Sequence, residues 1–300
     1  MSNPSTICAF TIDVESFAES HRQSVSVPAS LLEPARMDEE IVRNLDSCLA
    51  FLDQYQVRAT FFFLGRIAQT APQVVRNVAS AGHEIGCHSL QHVRISGQTR
   101  EEFRSELRAA RESLEDASGA SVIGFRAPDF SIGRSNLWAL DELAEAGFRY
   151  DSSLVPTRIH DVYGLAGTSK GLFRWPNGII EFPLPVATIL GVGVPMGGGG
   201  YFRLFPSAWT RSFFEGRQRR SMPTAFYIHP YEIGTAAPQL PGLSMTRRFR
   251  HYVRLTHGTK RLARMMQGVR FTTMADVLVH VGMLAASSRE KRGVTATTHR

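Results

Sequence analysis

Gly82-His83-Glu84-Ile85-Gly86-Cys87-His88-Ser89-Leu90-Gln91-His92 is the stretch whose reading decides the fold. Gly82 closes the helical pattern of residues 72–81, residues 83–87 then read as a short strand, and His88 arrives at the C-terminal end of that strand. His88 and His92 stand four residues apart, so on one helical turn or in a tight loop both imidazoles can face one cation. A catalytic metal site needs a further ligand, and Thr11-Ile12-Asp13-Val14-Glu15 offers two carboxylates. At the end of a strand, period two puts Asp13 and Glu15 on one side and turns Val14 away, so that one can hold metal and the other can take a proton.

Outward from this stretch, strand and helix alternate about seven times. Residues 5–12, 57–64, 122–125, 148–151, 178–183, 224–228 and 269–272 read as strands. Residues 38–55, 72–81, a segment opening at Thr99, 135–146, 206–217, 245–267 and a stretch from Met274 read as helices. Residues 16–37 are expected as a long loop, 157–177 as irregular, the glycine-rich 191–200 as lacking any element, and 287–300 as a disordered tail. Such alternation predicts an α/β fold, a distorted (β/α) barrel of about seven parallel strands, with function at the C-terminal strand ends. Asp13, Glu15, His88, His92, Arg126, Asp151 and His229 all fall at or just past predicted strand ends. One domain over 1–286 is expected, including a basic helical part from about 245.

Composition supplies a large core, with 43% hydrophobic residues. Cys8, Cys48 and Cys87 are scattered without CxxC spacing and read as buried thiols. The acidic residues Asp13, Glu15 and Glu19 interrupt any leader-like apolar run, so a cytoplasmic protein is expected. Residues 245–300 hold 12 Lys+Arg against 2 Asp+Glu, whereas residues 1–244 hold 22 against 25. No zinc finger, RNA-binding aromatic signature or helix-turn-helix accompanies this basic part, so no nucleic acid partner is expected. Its apolar residues Phe249, Tyr252, Val253 and Leu262 are expected to pack on the barrel, with peripheral contact to an anionic membrane as the alternative. A homo-oligomer stays open.

Taken in order, these motifs resemble the polysaccharide deacetylases of carbohydrate esterase family 4, the NodB homology domain, from Thr11 to about His229. Gly198-Gly199-Gly200-Tyr201-Phe202-Arg203, Phe226-Tyr227-Ile228-His229-Pro230-Tyr231-Glu232 and Arg250-His251-Tyr252 resemble more narrowly the exosortase-associated deacetylases of exopolysaccharide clusters. The resemblance implies a metal-dependent hydrolase that removes N-acetyl groups from a glycan. Glu15, His88 and His92 would hold a divalent ion, Zn²⁺ before Co²⁺ or another. Asp13 would be the base, Arg126 would orient it, and His229 would be the acid. The family's fourth motif, an Asp and a Trp that support the acid histidine and line the groove, has only Asp151, Glu181 and Trp175 as candidates. Asp129, Tyr201, Arg203 and Trp175 are expected near substrate. An allantoinase-like hydrolase of small amides and a catalytically dead glycan-binding module are the alternatives.

Overall fold

The computed structural model describes residues 7–157, 164–165, 167–234 and 237–286; the expected tail at 287–300 lies outside them. The strands are β1 (Cys8–Val14), β2 (Thr60–Phe63), β3 (Glu84–Cys87), β4 (Gly124–Phe125), β5 (Tyr150–Asp151), β6 (Phe173–Arg174), β7 (Ile180–Glu181), β8 (Val186–Ile189), β9 (Val192–Pro195), β10 (Thr224–Ile228) and β11 (Phe271–Thr272). One sheet runs β10-β1-β2-β3-β4-β5-β7-β6, with β11 beside β1. All its pairings are parallel except that of β6 with β7. Strands β8 and β9 form a separate antiparallel pair. The expected barrel is therefore a curled sheet whose end strands, β10 and β6, do not pair with each other.

Alternation along β1 explains how this sheet aims a site. Cys8, Phe10, Ile12 and Val14 enter the outer core with Ile41, Leu45, Val75, Phe103 and Leu107 from the helices. Ala9 turns to the inner face, where Phe62, Tyr150, Ile180, Ala225 and Tyr227 pack together. Thr11 and Asp13 follow the same inward parity. Phe62 and Tyr150 fill the interior because their neighbours are glycines. A Cβ on Gly86 would lie 2.5 Å from the Phe62 ring, and one on Gly124 would lie 2.1 Å from Tyr150.

Several expected elements differ. The supposed loop at 16–37 holds the helix Phe17–His21, which Ser16 and Glu19 cap reciprocally, and the next helix already begins at Pro34. Arg66 pins the short helix by donating through Nε to Glu19 at 2.6 Å and through Nη1 to Asp38 at 2.6 Å. The glycine-rich 191–200 contains β9 and the start of the helix Gly199–Leu204. Its Gly197 carbonyl accepts from the Tyr227 N–H at 2.7 Å, so this segment runs along the outer edge of β10. A side chain on Gly198 would collide with the Tyr227 carbonyl, which is why the chain carries glycine there.

The basic helix expected over 245–267 is divided into Met245–Tyr252 and Gly258–Met266, with Arg254 at φ 51° between them. Leu262 is buried, and Tyr252 and Val253 are half-buried, as packing on the barrel requires. Met245 and Phe249 are instead 87% and 60% exposed. Among the described residues no helix is long and apolar enough to cross a membrane.

Candidate active site

Asp13 ends the inward row of β1, and Arg126 follows β4 on the same inner side. Arg126 is fully buried and donates from Nη1 to Asp13 Oδ1 and to Thr11 Oγ1, each at 2.7 Å. Its Nη2 donates to Ser152 Oγ at 2.9 Å and its Nε to the Ser152 carbonyl at 3.2 Å. The guanidinium lies 4.3 Å from the Phe62 ring centroid. Side chains of β1, Ser152 just past β5 and an aromatic floor thus hold one planar cation, which fixes the direction of the Asp13 carboxylate.

Glu15, His88 and His92 are buried, and one ligand atom from each lies within 4.8 Å of the others. Among the described residues this is the one trio of His, Cys, Asp or Glu side chains so disposed. His88 Nδ1 lies 2.7 Å from the Arg126 carbonyl, and this acceptor requires a proton on Nδ1, leaving the Nε2 lone pair for a ligand. The loop carrying His92 is fastened through its carbonyl, which accepts from Arg22 at 3.0 Å and from Gln23 at 2.6 Å. Glu15 Oε2 abuts His92 Nε2, yet Glu15 Oε2 and His92 Nδ1 have no hydrogen-bond partner among the described residues. Buried polar atoms left without partners are costly. Two imidazoles and a carboxylate whose ligand atoms converge, with Glu15 Oε2 and His92 Nδ1 left without hydrogen bonds, fit a divalent cation.

His229 stands beside this trio at the end of β10, with Nε2 3.2 Å from Glu15 Oε1. Behind it, Glu232 Oε2 accepts from the His229 N–H at 2.9 Å and lies 3.2 Å from Nδ1. The Tyr231 ring stacks on the imidazole at 4.9 Å. Arg203 in turn reaches Glu232 at 3.1 Å. Burial alone would lower the His229 pKa, but the hydrogen bonds and charges of Glu15 and Glu232 outweigh it and hold the ring protonated, with a pKa raised to about 10. Burial likewise opposes ionisation of Glu15 and is overcome by His92 and His229, so that its carboxyl sits below its usual range. In His88 burial prevails over the nearby Asp13 and Glu15 charges, and its pKa is lowered.

Other expected site residues go elsewhere. Inward parity on β5 and β7 belongs to Tyr150, Ser152, Ile180 and Phe182, which sends Asp151 and Glu181 to the opposite face of the sheet. There Asp151 accepts from Ser153 Oγ at 2.6 Å, while Glu181 accepts from the Leu154 N–H at 3.1 Å and from Trp175 Nε1 at 3.0 Å. Burial raises both carboxyls, Asp151 to about 6. Neither touches His229; Glu232 does. Arg203 is 6% exposed and committed to Glu232 rather than open to a sugar. Asp129 accepts from Arg94 Nε at 2.6 Å and ties the His92 loop to the segment after Arg126. Tyr201 is half-buried and stacks with Phe205. Glu232 was legible in principle, because Pro230 and an acid three residues after His229 make the start of a capped helical turn.

Residues 36–150 match the polysaccharide deacetylase family model, and residues 152–279 match a domain of unknown function, DUF3473. The chain is similar to a peptidoglycan-N-acetylglucosamine deacetylase of Bacillus cereus, 33% identical over 92 residues, covering 30% of this chain and 34% of that one. It is also similar to a peptidoglycan deacetylase of Helicobacter pylori, 28% identical over 121 residues and 40% of each chain. It thus spans well under half the length of these curated relatives. In fold it is similar to a Mycobacterium smegmatis protein described as a polysaccharide deacetylase, at TM-score 0.59 and 23% identity, covering 97% of this chain and 94% of that one. An allantoinase structure is similar at TM-score 0.62 and 14% identity, covering 96% of each. At these identities the two structures speak for the fold.

Proposed function

We propose that the chain, whose residues 36–150 match the polysaccharide deacetylase family, removes N-acetyl groups from amino sugars of a polysaccharide, an exopolysaccharide or cell-envelope glycan. The observation that carries this reading is the convergence of Glu15, His88 and His92 between a carboxylate held by Arg126 and an imidazole held by Glu232. Glu15, His88 and His92 would hold a divalent cation, Zn²⁺ in the first instance. Bound there, such a cation supplies Lewis acidity, polarising an amide carbonyl and making water a better nucleophile near neutral pH.

The chain's own groups supply the rest. Asp13, oriented by Arg126 and with one oxygen engaged, takes the proton of the attacking water. His229, whose imidazole is held from behind by Glu232, delivers a proton to the nitrogen of the departing amino sugar, since an amide nitrogen leaves poorly without one. Glu232, Arg203 and the Tyr231 ring keep the imidazole in line for that transfer. The reading treats the two matched segments as one domain, because β7 of the second pairs with β5 at the end of the first, and β1 pairs with β2 of the first and with β10 of the second.

The test is acetate release from a panel of N-acetylated oligosaccharides and polysaccharides by protein stripped with a chelator and reloaded with Zn²⁺. Release that disappears on stripping and returns on reloading is expected. Turnover of small cyclic or linear amides with none on glycans would replace this reading with an allantoinase-like one, and glycan binding without acetate release would make the chain a binding module.

A further inference from the structure

The helix Met245–Tyr252 has no buried residue. Met245 and Phe249 sit one turn apart on one face and are largely exposed. Single exposed apolar residues are ordinary, but these belong to a segment, residues 245–270, that holds eight Lys+Arg and no Asp or Glu. Arg247, Arg248 and Arg250 are all exposed. Among the described residues none of the three forms an ion pair with a carboxylate.

Contacts at its C-terminal end anchor this helix. The Tyr252 hydroxyl donates to the Pro238 carbonyl at 2.7 Å, and the Tyr252 ring lies 5.4 Å from Phe17. The His251 ring lies 4.5 Å from His21. Phe17 and His21 bound the helix that directly follows Glu15, so the patch stands on the same side of the sheet as the candidate site. Arg254 donates to the Leu204 carbonyl at 3.0 Å, and Leu204 is itself 40% exposed.

We infer that the face of Met245 and Phe249, flanked on its two sides by Arg248 and Arg250, docks the protein on an anionic lipid bilayer. The pairing of charges and apolar groups selects that partner. Polyanions such as nucleic acid reward the arginines but leave Met245 and Phe249 in water, whereas an anionic bilayer takes both, the arginines at the headgroups and the apolar pair just beneath them. An eight-residue helix with two apolar anchors lies in the interface and is too short to span it. The inference goes beyond the deacetylase reading and stands without it.

The experiment is flotation of the full chain with vesicles of phosphatidylcholine, with and without phosphatidylglycerol, over a range of salt. The chain is expected to float only with the anionic vesicles, and less as salt rises. Met245→Ser/Phe249→Ser leaves the charge unchanged and is expected to weaken partitioning roughly ten-fold. Arg248→Gln and Arg250→Gln are each expected to weaken it roughly five-fold, and Arg247→Gln, on the opposite side of the helix, less. Circular dichroism and thermal midpoints establish that each variant is folded, and the readout needs no turnover, so a failed deacetylase assay leaves it intact. Absence of flotation, equal flotation with both lipids, or a serine variant that floats like the parent would overturn the inference. So would salt-dependent DNA binding by parent and serine variant alike in the absence of flotation, which would reassign the patch to polyanions.

Discussion

The two ends of the curled sheet both enclose a glutamate, and they treat it in opposite ways. At the N-terminal end Glu84 is surrounded by donors. Its Oε2 accepts from Thr60 Oγ1 at 2.6 Å and from the Ala275 N–H at 3.0 Å, and its Oε1 accepts from the Tyr150 hydroxyl at 2.8 Å. At the C-terminal end Glu15 is 3% exposed and faces histidines, and its Oε2 and the Nδ1 of His92 have no hydrogen-bond partner among the described residues. Enclosed polar groups are normally paired, so a satisfied carboxyl is one that stabilises, whereas an unsatisfied one marks a place kept for something else. The first end closes the fold and the second is available for chemistry.

The largest effect that would break this contrast belongs to the open end. Asp13→Asn and His229→Ala should each lower acetate release roughly 10²–10⁴-fold, the usual worth of a positioned acid or base. Zinc content should stay near that of the parent, since neither residue is in the ligand trio, whereas Asp13→Asn should lower the urea midpoint because it leaves the buried Arg126 without its carboxylate. Normal turnover in Asp13→Asn would remove the proposed base.

Next in size is the closed end. Glu84→Leu leaves Thr60, Tyr150 and the Ala275 N–H without their acceptor, and should cost about 1–3 kcal/mol of stability in urea denaturation. Acetate release per folded molecule should change little. If Glu84→Leu instead abolished turnover in a folded protein, the division of labour between the two ends would fail.

The open end was also the more legible of the two in the amino-acid sequence. Asp13, Glu15, His88, His92, Arg126 and His229 are chemically conspicuous, and each falls at a strand end that hydrophobic patterning locates. What escaped was decided by tertiary contacts. β6 and the β8–β9 pair lie in segments rich in glycine, proline and polar residues, where no periodicity announces a strand. The helix Phe17–His21 is too short for a period and is held by Arg66 from a distant element. Asp151 and Glu181 looked like site residues because they too end strands, but a one-residue difference in parity puts them on the other face.

That parity argument sharpens the contrast within the site itself. Glu232, not Asp151 or Glu181, contacts His229, so Glu232→Gln should lower turnover about ten-fold while leaving zinc content unchanged. It should also lower the pH at which the basic limb of the kcat profile falls, because the carboxylate behind the imidazole, which favours its protonated form, is gone. Asp151→Asn should shift neither the limb nor the rate at its plateau by a comparable amount. A normal basic limb in Glu232→Gln would deny it the positioning role.

The smallest expected effect returns to the closed end, where His83 Nδ1 accepts from the Ala59 N–H at 3.1 Å. Burial, with the nearby Arg58 charge, lowers the pKa of this ring to about 4, against 6.5 for an ordinary histidine. Between those values the unfolded chain binds a proton that the folded chain refuses, so the stability from neutral His83 is present above pH 6.5 and declines as pH falls towards 4. His83→Asn preserves an acceptor for Ala59 and cannot titrate. Urea midpoints measured from pH 7 down to pH 4 should therefore decline less steeply in His83→Asn than in the parent, with the two close together at pH 7. Parallel declines would show that protonation of His83 does not strain the closed end, and that a histidine can be accommodated there in either state.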